Sequence, residues 1–263
     1  MVRAAIATAC ASLIASSSRA LAQAWPSKPV RLIVPFSTGG STDIVARLYA
    51  QRLTESLGTP FFVDNRAGAG GTIGTEAGAR AASDGYTFVF GSTSSTAVSP
   101  GLYPKLSFDI VRDFVPVAQV ASAPIVLAAH PALPARTVTE LVALAKARPR
   151  EVVFASSGNG SSLHLCAEYL KYLARIDMLH VPYKGVGPAL PDLLAGHVQL
   201  LFSDMPPFVP YMKTGRLRAL GVTTAKRSPL LPDIPAIAES VPGYDLAGWY
   251  GFVAPAGTPD IIV

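Results

Sequence analysis

From Trp25 onward, short β-branched and aliphatic runs alternate with stretches whose apolar residues recur at helical spacing. Val30 to Val34 reads as a strand ending at Pro35. Ala46, Ala50, Leu53 and Leu57 then share one helical face, and Gly58 stops the helix. Phe61 to Val63 is a second strand, Thr72 to Ala82 a helix of small residues, and Thr87 to Phe90 a third strand. The plan then repeats. Ile125 to Ala129 is a strand, and Thr137-Val138-Thr139-Glu140 is a capping box, in which hydroxyl and carboxylate satisfy free amides at a helix start. Val152 to Phe154 leads into a helix with Cys166, Tyr169 and Leu173 on one face. Met178 to Val181 leads into another, Pro188 to Ala195, with proline in its first turn and Gly196 past its end. Val198 to Phe202, Leu217 to Val222 and Trp249 to Ala254 are the remaining strands, and Pro255 to Pro259 is a turn. Strands alternating with helices predict an α/β chain of right-handed βαβ units, with mainly parallel sheets flanked by helices. Two sets of such units of similar size predict two lobes.

Composition supports that reading. The chain has 263 residues, half of them hydrophobic and 15% charged, which fills real cores and excludes a disordered chain. The net charge of +5 is mild, and no basic run is interleaved with aromatics, so nucleic acid is not an expected partner. The first 24 residues read as an export signal. Arg3 gives a positive start, Ala4 to Ile14 is an uncharged, mostly apolar run, and Ala22-Gln23-Ala24 is a small-x-small cleavage site before Trp25. The apolar run is shorter than the roughly 20 residues a spanning helix needs. With the signal removed, Cys166 is the only cysteine, so no intrachain disulfide forms; its thiol is either a buried packing group or a reactive nucleophile.

Candidate chemistry gathers in three turns. Pro35-Phe36-Ser37-Thr38-Gly39-Gly40-Ser41-Thr42-Asp43 follows a strand and opens a helix; Ser41, Thr42 or Asp43 can cap that helix. Ser156-Ser157-Gly158-Asn159-Gly160-Ser161-Ser162 has the same design, and His164 follows it. Gly91-Ser92-Thr93-Ser94-Ser95-Thr96 follows the third strand. A helix start carries unpaired amides and about half a positive charge, so it favours an anion. Two such turns facing one gap would grip a carboxylate from both sides; each alone is equally well read as a capped turn. The crevice beyond the carboxyl ends of the strands is where open α/β sheets bind ligands. Candidate ligand-binding residues are Phe36, Ser37, Thr38, Gly39, Gly40, Ser41, Asp43, Ser92, Thr93, Ser157, Gly160, Ser161, Ser162, His164 and Asp204, with Asp204 an acceptor for a ligand amine or hydroxyl and Tyr250 a further lining side chain.

Other chemistries find little support. Gly68-Ala69-Gly70-Gly71-Thr72-Ile73-Gly74 lacks the third glycine of a dinucleotide loop and follows the second strand; it reads as a tight turn with close helix packing. No Gly-x-Ser-x-Gly elbow exists, and His130, His164, His180 and His197 have no metal-ligand spacing, so no cofactor, metal or catalytic residue is expected. A hydrolase using Ser161 or Ser162 with His164 is the enzymatic alternative, and it requires the serine hydroxyl within reach of the imidazole.

The motifs, taken in order, resemble the Bug-type extracytoplasmic receptors of tripartite tricarboxylate transport. They are Pro35-Phe36 with Gly39-Gly40 and Asp43; Asp64-Asn65-Arg66 with Gly68 to Gly71; Ser83 to Thr87; Gly160 to Leu165; Val181 to Gly185; Arg218-Ala219-Leu220; Lys226 to Ser228 with Leu231 to Pro235; Trp249-Tyr250-Gly251; and Ala254 to Pro259. The resemblance implies a two-lobed periplasmic binding (clamshell) fold. Lobe one would be 25–122 with 246–263 and lobe two 123–245. It implies a monomeric periplasmic receptor, not an enzyme, that holds a dicarboxylate, amino acid or aromatic acid through amides and hydroxyls. Its partners would be membrane permease subunits or, alternatively, a sensor protein. Two departures stand out. Thr38 replaces the family's usual proline, and relatives continue past the position of Val263 with a helical tail that completes lobe one, without which apolar sheet surface is left open.

Overall fold

The computed structural model describes residues 25–263. The export signal expected over residues 1–24 lies outside the described residues. The elements are β1 (Val30–Val34), α1 (Ser41–Leu57), β2 (Phe61–Asn65), α2 (Thr72–Ala79), β3 (Thr87–Ser92), α3 (Ser99–Leu102) and β4 (Phe114–Ala123). They continue with β5 (Ile125–Ala129), α4 (Val138–Ala147), β6 (Val153–Ser156), α5 (Ser162–Ala174), β7 (Leu179–Pro182), α6 (Val186–Ala195), β8 (Leu200–Asp204), α7 (Val209–Lys213), β9 (Arg218–Val222) and β10 (Gly248–Pro255).

Local chemistry sets most of these boundaries. α1 ends at Gly58, which takes the left-handed conformation at φ 69° while its N–H closes on the Thr54 carbonyl. α4 starts where Thr137 Oγ1 accepts the Glu140 N–H at 3.1 Å; the Glu140 carboxylate takes the N–H of Arg136, one residue earlier than the reciprocal box places it. α2 is shorter than its small-residue pattern predicts and ends at Ala79, ahead of the turn that leads into β3. Its glycines serve packing: a Cβ on Gly78 would sit 2.1 Å from Val89 Cγ2, and one on Gly74 2.6 Å from Pro35 Cα. The strand β4 has no counterpart in the sequence reading. Pro116 interrupts its pattern, which is tolerated because β4 lies at the edge of its sheet and pairs through a register shift near Val253.

The strands form two five-stranded sheets with the same layout, β2-β1-β3-β10-β4 and β7-β6-β8-β5-β9. β1 pairs in parallel with β2 and β3, and β6 with β7 and β8. The fourth strand in each order runs against both its neighbours. Each sheet is therefore mixed, with four strands pointing one way and one reversed. The reversed strand is the one that follows a crossing between the sheets. The chain passes from β4 to β5 at Pro124 and returns ahead of β10, where Leu246 and Thr223 exchange two hydrogen bonds of 2.9 and 2.7 Å.

Each sheet has its own core. Leu127, Leu141, Phe154, Leu170, Leu193 and Phe202 centre the second, and Leu32, Val34, Phe88 and Phe90 one face of the first. Cys166 belongs to the second core. It is buried, Tyr244 bonds its carbonyl at 2.8 Å, and burial pushes its thiol up to about 12, so it packs rather than reacts. Beside the first sheet runs an open apolar groove lined by Trp25, Leu53, Leu57, Phe61, Phe88 and Ile262, among others. No helix among the described residues is long and apolar enough to cross a membrane.

Candidate ligand cleft

A narrow cleft with free room of about 30 Å³ lies between the two sheets, at the carboxyl ends of β1, β3, β6 and β8. From the first sheet it is lined by Phe36, Gly40, Ser41 and Thr42, by Ser92, Thr93 and Ser94, and by Gly248, Trp249 and Tyr250 at the start of β10. From the second it is lined by Ile125, Ser157, Ser162, Leu163, Val186 and Asp204. The helices α1, α5 and α6 all begin at this wall. Their first turns bring amides and the positive ends of three helix dipoles to one place. Among the described residues, no lysine, arginine or histidine lines the space.

The first amide-rich turn divides its work. Gly40 is the N-cap of α1 and has no side-chain partner, which leaves the helix start open toward the cleft. Asp43 turns away from it. The carboxylate accepts from Gly39 N at 2.9 Å, from Arg47 Nε at 2.9 Å and from Asn65 Nδ2 at 3.0 Å. Burial pushes this carboxyl up, but those three donors together hold it below the usual carboxylate range. Thr38 is exposed and bonds Asn65, and Ser37 donates its N–H to the Lys184 carbonyl at 3.3 Å across the rim. Ser37, Thr38, Gly39 and Asp43 thus shape the turn without lining the space.

The second turn behaves alike. Ser161 caps α5, its hydroxyl accepting the His164 N–H at 3.2 Å. Ser162 presents both N–H and hydroxyl to Ser94 Oγ of the other sheet, at 2.8 and 2.7 Å. Gly160 packs on Tyr103, whose hydroxyl also bonds the Asn159 carbonyl at 2.8 Å. His164, expected at the ligand, sits behind the turn. Its ring stacks on His180 with centroids 4.1 Å apart, and Nδ1 accepts the Gly160 N–H at 3.2 Å. Gly160, Ser161 and His164 therefore support the cleft wall rather than form it. Neither ring nitrogen of His164 bonds the hydroxyl of Ser161 or Ser162, so the hydrolase arrangement is not assembled. The one Ser–His bond of this region is Ser156 Oγ to His180 Nε2 at 2.6 Å, and that serine also closes on the Gly158 amide and carbonyl. Burial, then the neighbouring His164, pushes His180 down to about 4, so the stacked pair is neutral at pH 7.

Two details mark the floor of the cleft. Asp204, at the end of β8, is buried, and its Oδ2 accepts the hydroxyl of Tyr250 from the opposite sheet. Beside it Ser41 Oγ meets Ser203 Oγ at 3.0 Å, again from sheet to sheet. Burial pushes the Asp204 carboxyl up to about 6, partly opposed by the Tyr250 bond. The Ser92 hydroxyl lies buried with no hydrogen-bond partner, whereas Thr93 Oγ1 accepts the Trp249 N–H at 2.9 Å. Of the lining residues, Ile125, Leu163, Val186, Gly248 and Trp249 were not legible from the sequence as site residues. Val186 had a signal, because Val181 to Gly185 is a third strand-to-helix turn with a glycine at its end.

Comparison with known proteins places this geometry. The model of the tripartite tricarboxylate transporter family receptor matches residues 45–263. The chain is 42% identical over 245 residues to Protein BugT of Bordetella pertussis, covering 92% of this chain and 75% of that protein. It superposes on the adipate-bound Rpa4515 of R. palustris with a TM-score of 0.87 at 42% identity, covering 90% of this chain and 80% of that one. On MatC of Rhodopseudomonas palustris with bound malate the TM-score is 0.85 at 33% identity, covering 90% and 81%. The fold is the two-lobed α/β fold of periplasmic binding proteins. The chain belongs to the tripartite tricarboxylate transporter receptor family, the Bug or TctC solute-binding receptors of the periplasm.

Proposed function

We propose that this protein captures a small carboxylate between its lobes, 25–122 with 246–263 on one side and 123–245 on the other, and delivers it to membrane permease subunits after export and cleavage near Ala24. One observation carries the reading: three helix starts and a set of hydroxyls line a single space that holds no basic side chain. Amides and helix dipoles favour an anion, and a carboxylate can accept several such bonds at once. The unpartnered Ser92 hydroxyl and the first-turn amides of α1 are the expected contacts, joined by the Ser41 and Ser162 hydroxyls if they exchange their cross-gap partners for the ligand. The relatives crystallised with adipate and malate carry ligands of this class. Closing the lobes would bury the ligand, and the two chain crossings supply the hinge.

The test is thermal melting of the folded protein against dicarboxylates, amino acids and aromatic acids. A ligand present at 100 times its Kd stabilises the bound form by about 2.7 kcal/mol, which is readily seen as a rise in Tm. If no member of the panel raises the Tm, the receptor reading fails.

A further inference from the structure

Asp204 stands out against the rest of the cleft. Helix starts, free amides and hydroxyls make the space suitable for one carboxylate, yet its floor carries an acidic side chain. Among the described residues, no basic group pairs with it. The Tyr250 hydroxyl donates to Oδ2, and Tyr250 cannot yield a compensating charge, because burial and Asp204 keep its hydroxyl protonated. Ser92 is the register partner of Tyr250 across β3 and β10, so its unpartnered hydroxyl belongs to the same corner. This corner therefore offers a ligand an acceptor with negative charge and a neutral hydroxyl.

We infer that Asp204 selects the ligand class: a carboxylic acid that brings a hydrogen-bond donor, an ammonium or a hydroxyl, to this corner, in preference to a plain dicarboxylate. The inference rests on the carboxylate reading above and sharpens it. One ligand carboxylate lies against the helix starts. A second carboxylate reaching the floor would meet Asp204 as like charge in a site shielded from water, where such repulsion is poorly screened. An ammonium or hydroxyl there makes a charge-assisted bond to the carboxylate instead. Burial raises this carboxyl only to about 6, so it remains an anion at pH 7.5.

The experiment is calorimetric titration at pH 7.5 with two matched series: succinate, 4-aminobutyrate and 4-hydroxybutyrate, then adipate, 6-aminohexanoate and 6-hydroxyhexanoate. In the chain length that fits, the amino or hydroxy acid should bind on the order of tenfold more tightly than its dicarboxylate. Asp204→Asn should bring the three within about threefold of one another, because the amide removes the charge at nearly constant shape. The amino and hydroxy arms separate a need for positive charge from a need for any donor. A dicarboxylate that binds the parent protein as tightly as its matched partners overturns the inference, and this comparison stands even if Asp204→Asn does not fold. An unchanged ranking in the folded variant overturns it too. If no carboxylate binds the folded parent, the receptor reading itself falls, and this inference with it.

Discussion

A buried hydroxyl without a partner is a cost that a ligand can remove. Ser92 is 7% exposed and lies at the cleft, and its Oγ bonds nothing in the protein. Its N–H is held by Ser95 Oγ at 3.0 Å, so the backbone is fixed while the hydroxyl is left free for a guest. Ser92→Ala should leave the Tm of the ligand-free protein unchanged or slightly higher. The same change should weaken the best carboxylate about tenfold, the worth of one good hydrogen bond in a buried site. Melting and calorimetry on the same preparation check both halves, and a loss of Tm without a loss of affinity would make Ser92 structural. At this scale the sequence pointed to Ser92 and Asp204 because each follows closely on a predicted strand. It misplaced His164, since the same spacing that brings a residue near a helix start does not say whether its ring faces the gap or the turn behind it.

Among the elements, glycines where the two sheets meet govern how closely the lobes approach. A Cβ on Gly187, in the first turn of α6, would lie 2.0 Å from the Thr38 carbonyl oxygen. The other atoms it would meet also belong to Ser37 and Thr38, across the rim. A Cβ on Gly70 would likewise stand 2.7 Å from the Asn159 carbonyl oxygen. Gly187→Ala should therefore disturb closure and not the interior of either lobe. The expected result is a ligand-free Tm within about 2 °C of the parent and an affinity at least tenfold weaker, since only the closed form bears the clash. An equal fall in Tm without ligand would show that the contact matters for folding instead. Most elements were legible from period and punctuation, as at Gly58 and Thr137. β4 was not, because an edge strand tolerates Pro116, and its register shifts leave Ala118 and Gln119 both exposed, which breaks the period-two signal.

At the scale of the whole molecule, two sheets of matching order are joined, among the described residues, by two crossings, at Pro124 and ahead of β10. Most bonds that span the gap involve a hydroxyl: Ser94 with Ser162, Ser41 with Ser203, Tyr250 with the Asp204 carboxylate and Tyr103 with the Asn159 carbonyl, while the Ser37 N–H meets the Lys184 carbonyl at the rim. Each such bond is worth only about 0.5–3 kcal/mol net, so a handful of them holds the closed form modestly. Small-angle X-ray scattering should show a smaller radius of gyration when a binding carboxylate is added, with the ligand-free protein adopting more open forms. A radius that does not change on saturation would mean that the lobes do not hinge.

The sequence alone determined the alternation of strands and helices and the amide-rich turns that open α1 and α5. These features depend on neighbours within a few positions, where period, glycine and capping chemistry act directly. Which turns face each other was decided only by the tertiary structure. Tyr250 and Asp204 are 46 positions apart, Ser94 and Ser162 are 68, and Ser41 and Ser203 are 162. No local period encodes such pairs. They meet because the chain crosses twice between two sheets of matching layout, which brings the carboxyl ends of both sets of strands to one gap.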